Sequence, residues 1–272
     1  MLSTRERFKD SFRSLCASPI REAFLVVVTF TGVALGATYP LVTRLGDALP
    51  NDLGDPVLNA WILAWDADRF LHGFRGLWNA PIFFPYQDSL AYSEHLLGIA
   101  FFTAPLQWLT DNPIIVYNAA FLGSFVLAGA GMYLLATSLT GSRVGGIIGG
   151  VAFAFLPYRA EHISHLQILM YGWMPVALWA FHRYFATGQR MALAGFAVAF
   201  LLQGLSNGHF FYFLAVAVIV IGAIELICWV RARPVMVVDL AVTALVMFVS
   251  LAPVLAAYLD ARAAHALYRT PD

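Results

Sequence analysis

The chain has 272 residues, 60% of them hydrophobic and only 12% charged, with a formal net charge of zero. Soluble domains run at roughly 45–50% apolar and about 25% charged, so one aqueous core does not absorb this much apolar surface and lipid must cover part of it. The charge balance offers no basic patch for nucleic acid. The two cysteines, Cys16 and Cys228, show no CxxC or zinc-type spacing, and both read as inert thiols on the reducing side of a membrane.

In chain order, the first element is a basic segment, 1–21, with Arg5, Arg7, Lys9, Arg13 and Arg21 ahead of the apolar run Ala23–Ala37. Its length and the poor cleavage site at Gly36-Ala37-Thr38 favour an uncleaved transmembrane helix, 22–42, over a signal peptide. A long loop, 43–112, follows. Within it, Asp55-Pro56 reads as an N-cap followed by proline at the first helical position. The helix after it, near 56–72, carries Leu58, Trp61, Ile62 and Trp65 as an amphipathic stripe, with Asn59, Asp66 and Arg69 turned away. An aromatic turn from Trp78 to Tyr86 leads to Ser93, a cap for a second surface helix near 95–110 that Pro105 interrupts.

Six further spans are expected at 113–139, 143–157, 169–186, 191–205, 210–230 and 235–257. Two of them, 143–157 and 191–205, are short against the ~20 residues of a crossing helix, so their flanks are expected to extend them. Gly145, Gly146, Gly149 and Gly150 give the small-xxx-small spacing that lets helix backbones approach.

Charge decides whether 95–110 crosses. If it does not, ten Lys/Arg lie on one side: Arg5, Arg7, Lys9, Arg13, Arg21, Arg143, Arg183, Arg190, Arg231 and Arg233. Six then lie on the other, and eleven of the sixteen acids accompany them. If it crosses, the cations divide eight and eight. The positive-inside rule favours the first arrangement: seven crossings, N-terminus cytoplasmic, segment 95–110 in the outer interface, and an outer C-terminal segment, 258–272. The fold class is therefore all-α and polytopic, with two amphipathic interfacial helices in the first outer loop.

The residues that can carry chemistry cluster on that outer face. In Asn51-Asp52-Leu53-Gly54-Asp55-Pro56, with Asn59 one turn later, a carboxylate near a low-dielectric boundary suits a general base. Two carboxylates three residues apart also suit a shared divalent cation. The plainer reading is that Asp55 caps its helix and Asp52 is solvated. Ser93-Glu94-His95 offers a metal or proton-relay pair, or a first-turn acid beside an interfacial histidine. Pro157-Tyr158-Arg159-Ala160-Glu161-His162, then His165 and Gln167, offers a forked donor for phosphate and two histidines that share a face if helical, or a belt of snorkelling polar residues. Ser206-Asn207-Gly208-His209 reads as a turn. Glu225 and Asp239 lie near span ends, where snorkelling accounts for them. Gln203 and Asn118 are the main polar residues within spans.

This order of features resembles the GT-C class of integral-membrane glycosyltransferases, which includes oligosaccharyltransferase, protein O-mannosyltransferases and aminoarabinose transferase. The matching pieces are Gly54-Asp55-Pro56 with Asn59-Ala60-Trp61, Tyr92-Ser93-Glu94-His95, the inner turn Leu139-Thr140-Gly141-Ser142-Arg143, and Leu156-Pro157-Tyr158-Arg159 with His162 and His165. The resemblance covers nearly the whole chain through short motifs. It implies a bacterial inner-membrane enzyme that moves a sugar, with inversion, from a polyprenyl-phosphate donor to an acceptor hydroxyl, with membrane lipid as its surroundings and no nucleic-acid partner. Carried onto this sequence, Asp55 is the base and Asp52 its second. Arg159, His162, His165 and Asn59 hold the donor phosphate or the acceptor, and Glu94 and His95 hold a divalent metal or the acceptor. Two departures stand out. Members usually have more spans, so the chain is expected to be a fragment or the catalytic half. Asp52-Leu53-Gly54-Asp55 is also not a strict DxD. The competing expectations are a transporter or flippase, which needs broken or polar mid-membrane helices, and a non-catalytic membrane scaffold, in which the acids and histidines do not converge.

Overall fold

The structure is a computed structural model that describes residues 19–229 and 233–265. The basic residues Arg5 to Arg13, Cys16, Arg231, Arg269 and Asp272 lie outside those residues. Among the described residues every regular element is helical.

Helix α1, Pro19–Ala37, is followed by the connector, residues 38–112. The connector holds α2 (Asp55–Leu71), α3 (Leu97–Leu109) and two short 3₁₀ turns, Leu41–Arg44 and Ser89–Tyr92. Then come α4 (Pro113–Thr140), α5 (Arg143–Ala154), α6 (Pro157–Glu161), α7 (Leu166–Leu169), α8 (Trp173–Thr187), α9 (Arg190–Gly204), α10 (Gly208–Trp229) and α11 (Val235–His265).

Local sequence explains most of these boundaries. Asn112 caps α4 by accepting from the Ile114 N–H at 2.9 Å, with Pro113 at the first helical position. Gly141 ends it at φ 73°, the left-handed conformation that glycine adopts without strain. Ser142 then caps α5 through the Gly145 N–H at 3.0 Å. Helix α5 stops at Ala154 because Pro157 offers no N–H and forces Leu156 into an extended conformation, ψ 143°.

Among the described residues four helices are long and apolar enough to cross a membrane: Ile20–Ala37 within α1, Pro113–Thr140, Gly208–Cys228 within α10 and Val235–Ala264 within α11. The expected flank extensions at 143–157 and 191–205 do not form: α5 has 12 residues and α9 has 15. At 1.5 Å per residue α5 rises only about 18 Å. Between α5 and α8, residues 155–172 form a broken passage. Its Arg159 reaches Ser124, eleven residues into α4.

Half of the apolar window of α4 is buried, against 11% for α10 and for α11. Helix α4 is therefore the central post and the last two helices are peripheral. Their uncovered residues, Ile219, Ile227, Val238, Leu245 and Phe248 among them, form an apolar surface suited to lipid. Beside α4, Gly129 and Gly150 make a notch for the Phe30 ring, which is fully buried. A Cβ on either glycine would overlap that ring. Gly146 and Gly150 are thus the contact pair of the glycine run, whereas a Cβ on Gly145 or Gly149 would come no closer than 3.3 Å to its neighbours, a tight fit that a small shift relieves.

Ion pairs fix the end of the bundle away from the connector. Glu22 at the start of α1 accepts from Arg143 at 2.7 Å and from the Tyr133 hydroxyl at 2.6 Å. Asp239 at the start of α11 accepts from Arg190 at 2.9 Å and from the Tyr184 hydroxyl at 3.0 Å. Asp239 is therefore paired rather than merely snorkelling, and Glu225 lies 3.8 Å from His182.

The connector folds over the other end of the bundle. Asn118 of α4 donates to the Leu45 and Ala48 carbonyls, both at 2.8 Å, and Asn112 donates to the Gly46 carbonyl at 2.8 Å. The Gly98 N–H donates to the Leu205 carbonyl at 2.8 Å, which docks α3 on the α9–α10 turn. Helix α2 corrects the expected stripe. Its buried face comprises Asn59, Ala60, Ile62, Leu63, Asp66 and Ala67, whereas Leu58, Trp61 and Trp65 are only partly covered. Asn59 and Asp66 point inward because α3, α4 and α7 pack on that face, and α7 supplies Asn59 with a polar partner, Gln167, that local periodicity does not reveal.

Candidate functional site

Two separate sites take shape at the connector end. The first gathers the loop before α2 and the broken passage after α5. Ser164 donates to Asp52 Oδ2, the Gly54 N–H donates to Asp52 Oδ1 at 2.8 Å, and the Asn51 amide donates to both Asp52 Oδ2 (3.0 Å) and Ser164 Oγ (2.8 Å). The Ser164 hydroxyl, then the Gly54 amide, hold the Asp52 carboxyl below its ordinary proton affinity. It is a fixed negative charge.

Asp55 is the first residue of α2 and Gly54 occupies the cap position, with no side-chain cap bond. The capping role is therefore not its role here. Its Oδ2 instead lies 3.2 Å from His165 Nε2, with the two side chains 44% and 38% exposed, so the pair faces outward and is approachable. The Tyr117 hydroxyl is buried without a hydrogen-bond partner and lies in electrostatic range of both Asp52 and Asp55. Asn59 is buried, and its amide donates to Gln167 at 2.9 Å.

His162 and His165 do not share a helix. His162 ends α6 and His165 precedes α7. Their rings nonetheless meet edge to face at 5.5 Å, and the His162 ring packs tilted against Tyr158 at 4.3 Å. Arg159 lies on the inner side of the same segment. It donates to the Leu169 carbonyl at 2.9 Å and to Ser124, sits 3.9 Å over the Phe125 ring, and leaves Nε unpartnered.

Arg159 lines a cavity of about 490 Å³ whose walls are mainly Tyr39, Leu41, Leu49, Phe121, Phe125 and Phe155. Arg44, paired with Asp47 at 2.7 Å, is its second cation. The cavity includes Pro50 and Ile163, the residues next to Asn51 and Ser164. Ile163 directly precedes Ser164, so the cavity wall runs along the chain up to the Asp52–Ser164 contact, and His165 lies in electrostatic range of Asp52; Asp55, His162 and His165 themselves do not line the cavity.

Glu94 and His95 are not in that group. Glu94 accepts from the Asn207 amide at 3.4 Å, and burial raises its proton affinity to a pKa of about 7. His95 is buried against Trp78 and Tyr258, and burial lowers its pKa to about 4. Its Nδ1 accepts from the Leu97 N–H at 3.1 Å. Among the described residues no three His, Cys, Asp or Glu side chains gather as a metal-binding group. With His95 Nδ1 and both Asp52 oxygens already engaged, the expected metal donors do not fit a cation.

Ser164 and Tyr258 went unnoticed in the sequence. Ser164 was hidden between the two histidines, and Tyr258 sits in an apolar helix with nothing local to mark it. Asp66, which periodicity sets off the apolar stripe of its helix, is on the covered face. It is buried with neither oxygen hydrogen-bonded, and burial raises its proton affinity well above the carboxylate range.

Comparison with protein families, with curated proteins and with solved structures finds no match to this chain.

Proposed function

We propose that the chain is a membrane glycosyltransferase of GT-C type with seven crossings, its connector on the outer face of a bacterial inner membrane and its N-terminus in the cytoplasm. It moves a sugar from a polyprenyl-phosphate donor to an acceptor hydroxyl. The observation that carries the reading is the continuity along the chain from the wall of the Arg159 cavity, through Ile163 and Ser164, to the Asp55–His165 pair. A lipid-linked donor needs apolar walls for its prenyl units, a cation for its phosphate and a base outside for the acceptor.

In this reading the acceptor oxygen attacks the anomeric carbon as its proton passes to Asp55. The bond between that carbon and the phosphate oxygen breaks, and the polyprenyl phosphate leaves with the electron pair. His165 orients the Asp55 carboxylate through Oδ2, leaving Oδ1 for the acceptor. Asp52, held ionised, keeps local charge in favour of a proton moving to Asp55. Arg159 and Arg44 stabilise the leaving phosphate.

The test is turnover of endogenous polyprenyl-phosphate sugars in membranes expressing the wild type or Asp55→Asn at equal level. Removing a general base costs about 10²–10⁴-fold, so the variant is expected to fall to background. Equal turnover in both removes Asp55 from the mechanism. Absence of turnover in either returns the transporter and scaffold readings.

A further inference from the structure

A second cavity, of about 550 Å³, lies between α9, α10 and α11 and shares no lining residue with the Arg159 cavity. Its walls are chiefly Phe200, Phe211, Met247, Phe248, Leu251 and Leu255. Phe248 and Leu255 are 64% and 50% exposed on a peripheral helix, so the groove opens sideways onto the surface that lipid covers.

Its connector end is polar and is lined by Glu94, His95, Asn207 and Tyr258, with no lysine or arginine anywhere along it. Apart from the Nε2–H of the neutral His95 ring, whose Nδ1 accepts from the Leu97 N–H, the side-chain donors at that end are already engaged. The Asn207 amide points at Glu94, and the Tyr258 hydroxyl donates to the Ser93 carbonyl at 3.1 Å. The strong acceptor there is the Glu94 carboxyl, which lies in electrostatic range of Tyr258. A phosphate or carboxylate head entering the groove meets the Glu94 carboxyl and finds no cation, with the uncharged His95 Nε2–H as its one unengaged side-chain donor. A hydroxyl head brings no countercharge. An ammonium head supplies both the missing donors and the missing charge.

We infer that this groove binds a single-chain amphiphile with a primary amine head, its chain along the α11 wall and its ammonium on Glu94. The site is independent of the Asp55 chemistry, and either stands without the other.

The experiment uses the full chain in phosphatidylcholine nanodiscs with a diazirine-bearing dodecylamine, and crosslinks are mapped by mass spectrometry. Labelling is expected on the 244–255 stretch of α11, with dodecylamine competing at about tenfold lower concentration than dodecanol or dodecanoate. Glu94→Gln is expected to abolish that preference, and Ala252→Trp, which fills the groove, to abolish labelling for every head group. Equal competition by the three heads on the wild type overturns the proposal without recourse to any variant. So does labelling confined to other helices, or an amine preference that survives Glu94→Gln.

Discussion

Asn118 is the bolt between the central helix and the loop that carries Asp52. Its amide donates to two carbonyls of the connector, and its own Oδ1 is buried without a partner. Asn118→Leu keeps roughly the same volume, removes that unpaired oxygen and strips the donor from Leu45 and Ala48. Those two residues are only partly buried, so each lost bond is taken at the low end, about 1 kcal/mol. Together they amount to ~2 kcal/mol, or about a 30-fold rise in local opening. The loss falls on the connector, because α4 itself sheds an unsatisfied group. The Asp47 and Ala48 amides, which donate to the Arg44 carbonyl at 3.3 and 3.1 Å, are the reporters. Hydrogen exchange at both is expected to accelerate about 30-fold, with the amides in the middle of α4 unchanged. Unchanged exchange at Asp47 and Ala48 refutes the bolt, and uniform acceleration across α4 refutes its local character.

Gly150→Leu puts side-chain atoms onto Phe30 and the Gly129 carbonyl. It is expected to cost about 1–3 kcal/mol, more than Gly149→Leu, and thermal unfolding in detergent ranks the two. Glu94 has a raised proton affinity in the fold, so its stabilising contribution is full below its ordinary value of 4.5 and is lost as pH rises through about 7. That is a fall of about 3 kcal/mol, which denaturant titration across pH should show in the wild type and not in Glu94→Gln. Asp66 is buried as a neutral acid, so Asp66→Asn is expected to leave stability at pH 8 unchanged or higher. A loss above about 2 kcal/mol would mean that Asp66 is ionised and paired.

Much of the architecture was legible because it depends on local chemistry. Apolar runs named the solvent, and the tight turn at Gly141 and Ser142 works within a few residues of itself; the two caps that the local pattern suggests, Asp55 and Ser93, do not cap, because Gly54 and Leu96 hold those positions. The glycine run forecast close helix contact, although which glycines touch waited on the position of Phe30. The proline that ends α5 was visible in the sequence. Its consequence, an 18-residue broken passage from 155 to 172, was not read.

The sites were legible only in part. Asp52, Asp55, His165 and Glu94 stood out as residue types, but their partners lie far along the chain. Asp52 meets Ser164 across 112 residues, Asn59 meets Gln167 across 108, and His95 meets Tyr258 across 163. Periodicity along α2 set Asn59 and Asp66 off its apolar stripe, and the packing of α3, α4 and α7 placed them inside. The sequence by itself determined that this is a helical chain built for lipid, with its reactive side chains concentrated in one loop and two turns, because hydropathy and capping are properties of neighbours. Tertiary structure alone decided which acid faces a histidine, which lies buried and neutral, and which closes an apolar groove, because desolvation and charge pairing depend on groups brought together by the fold.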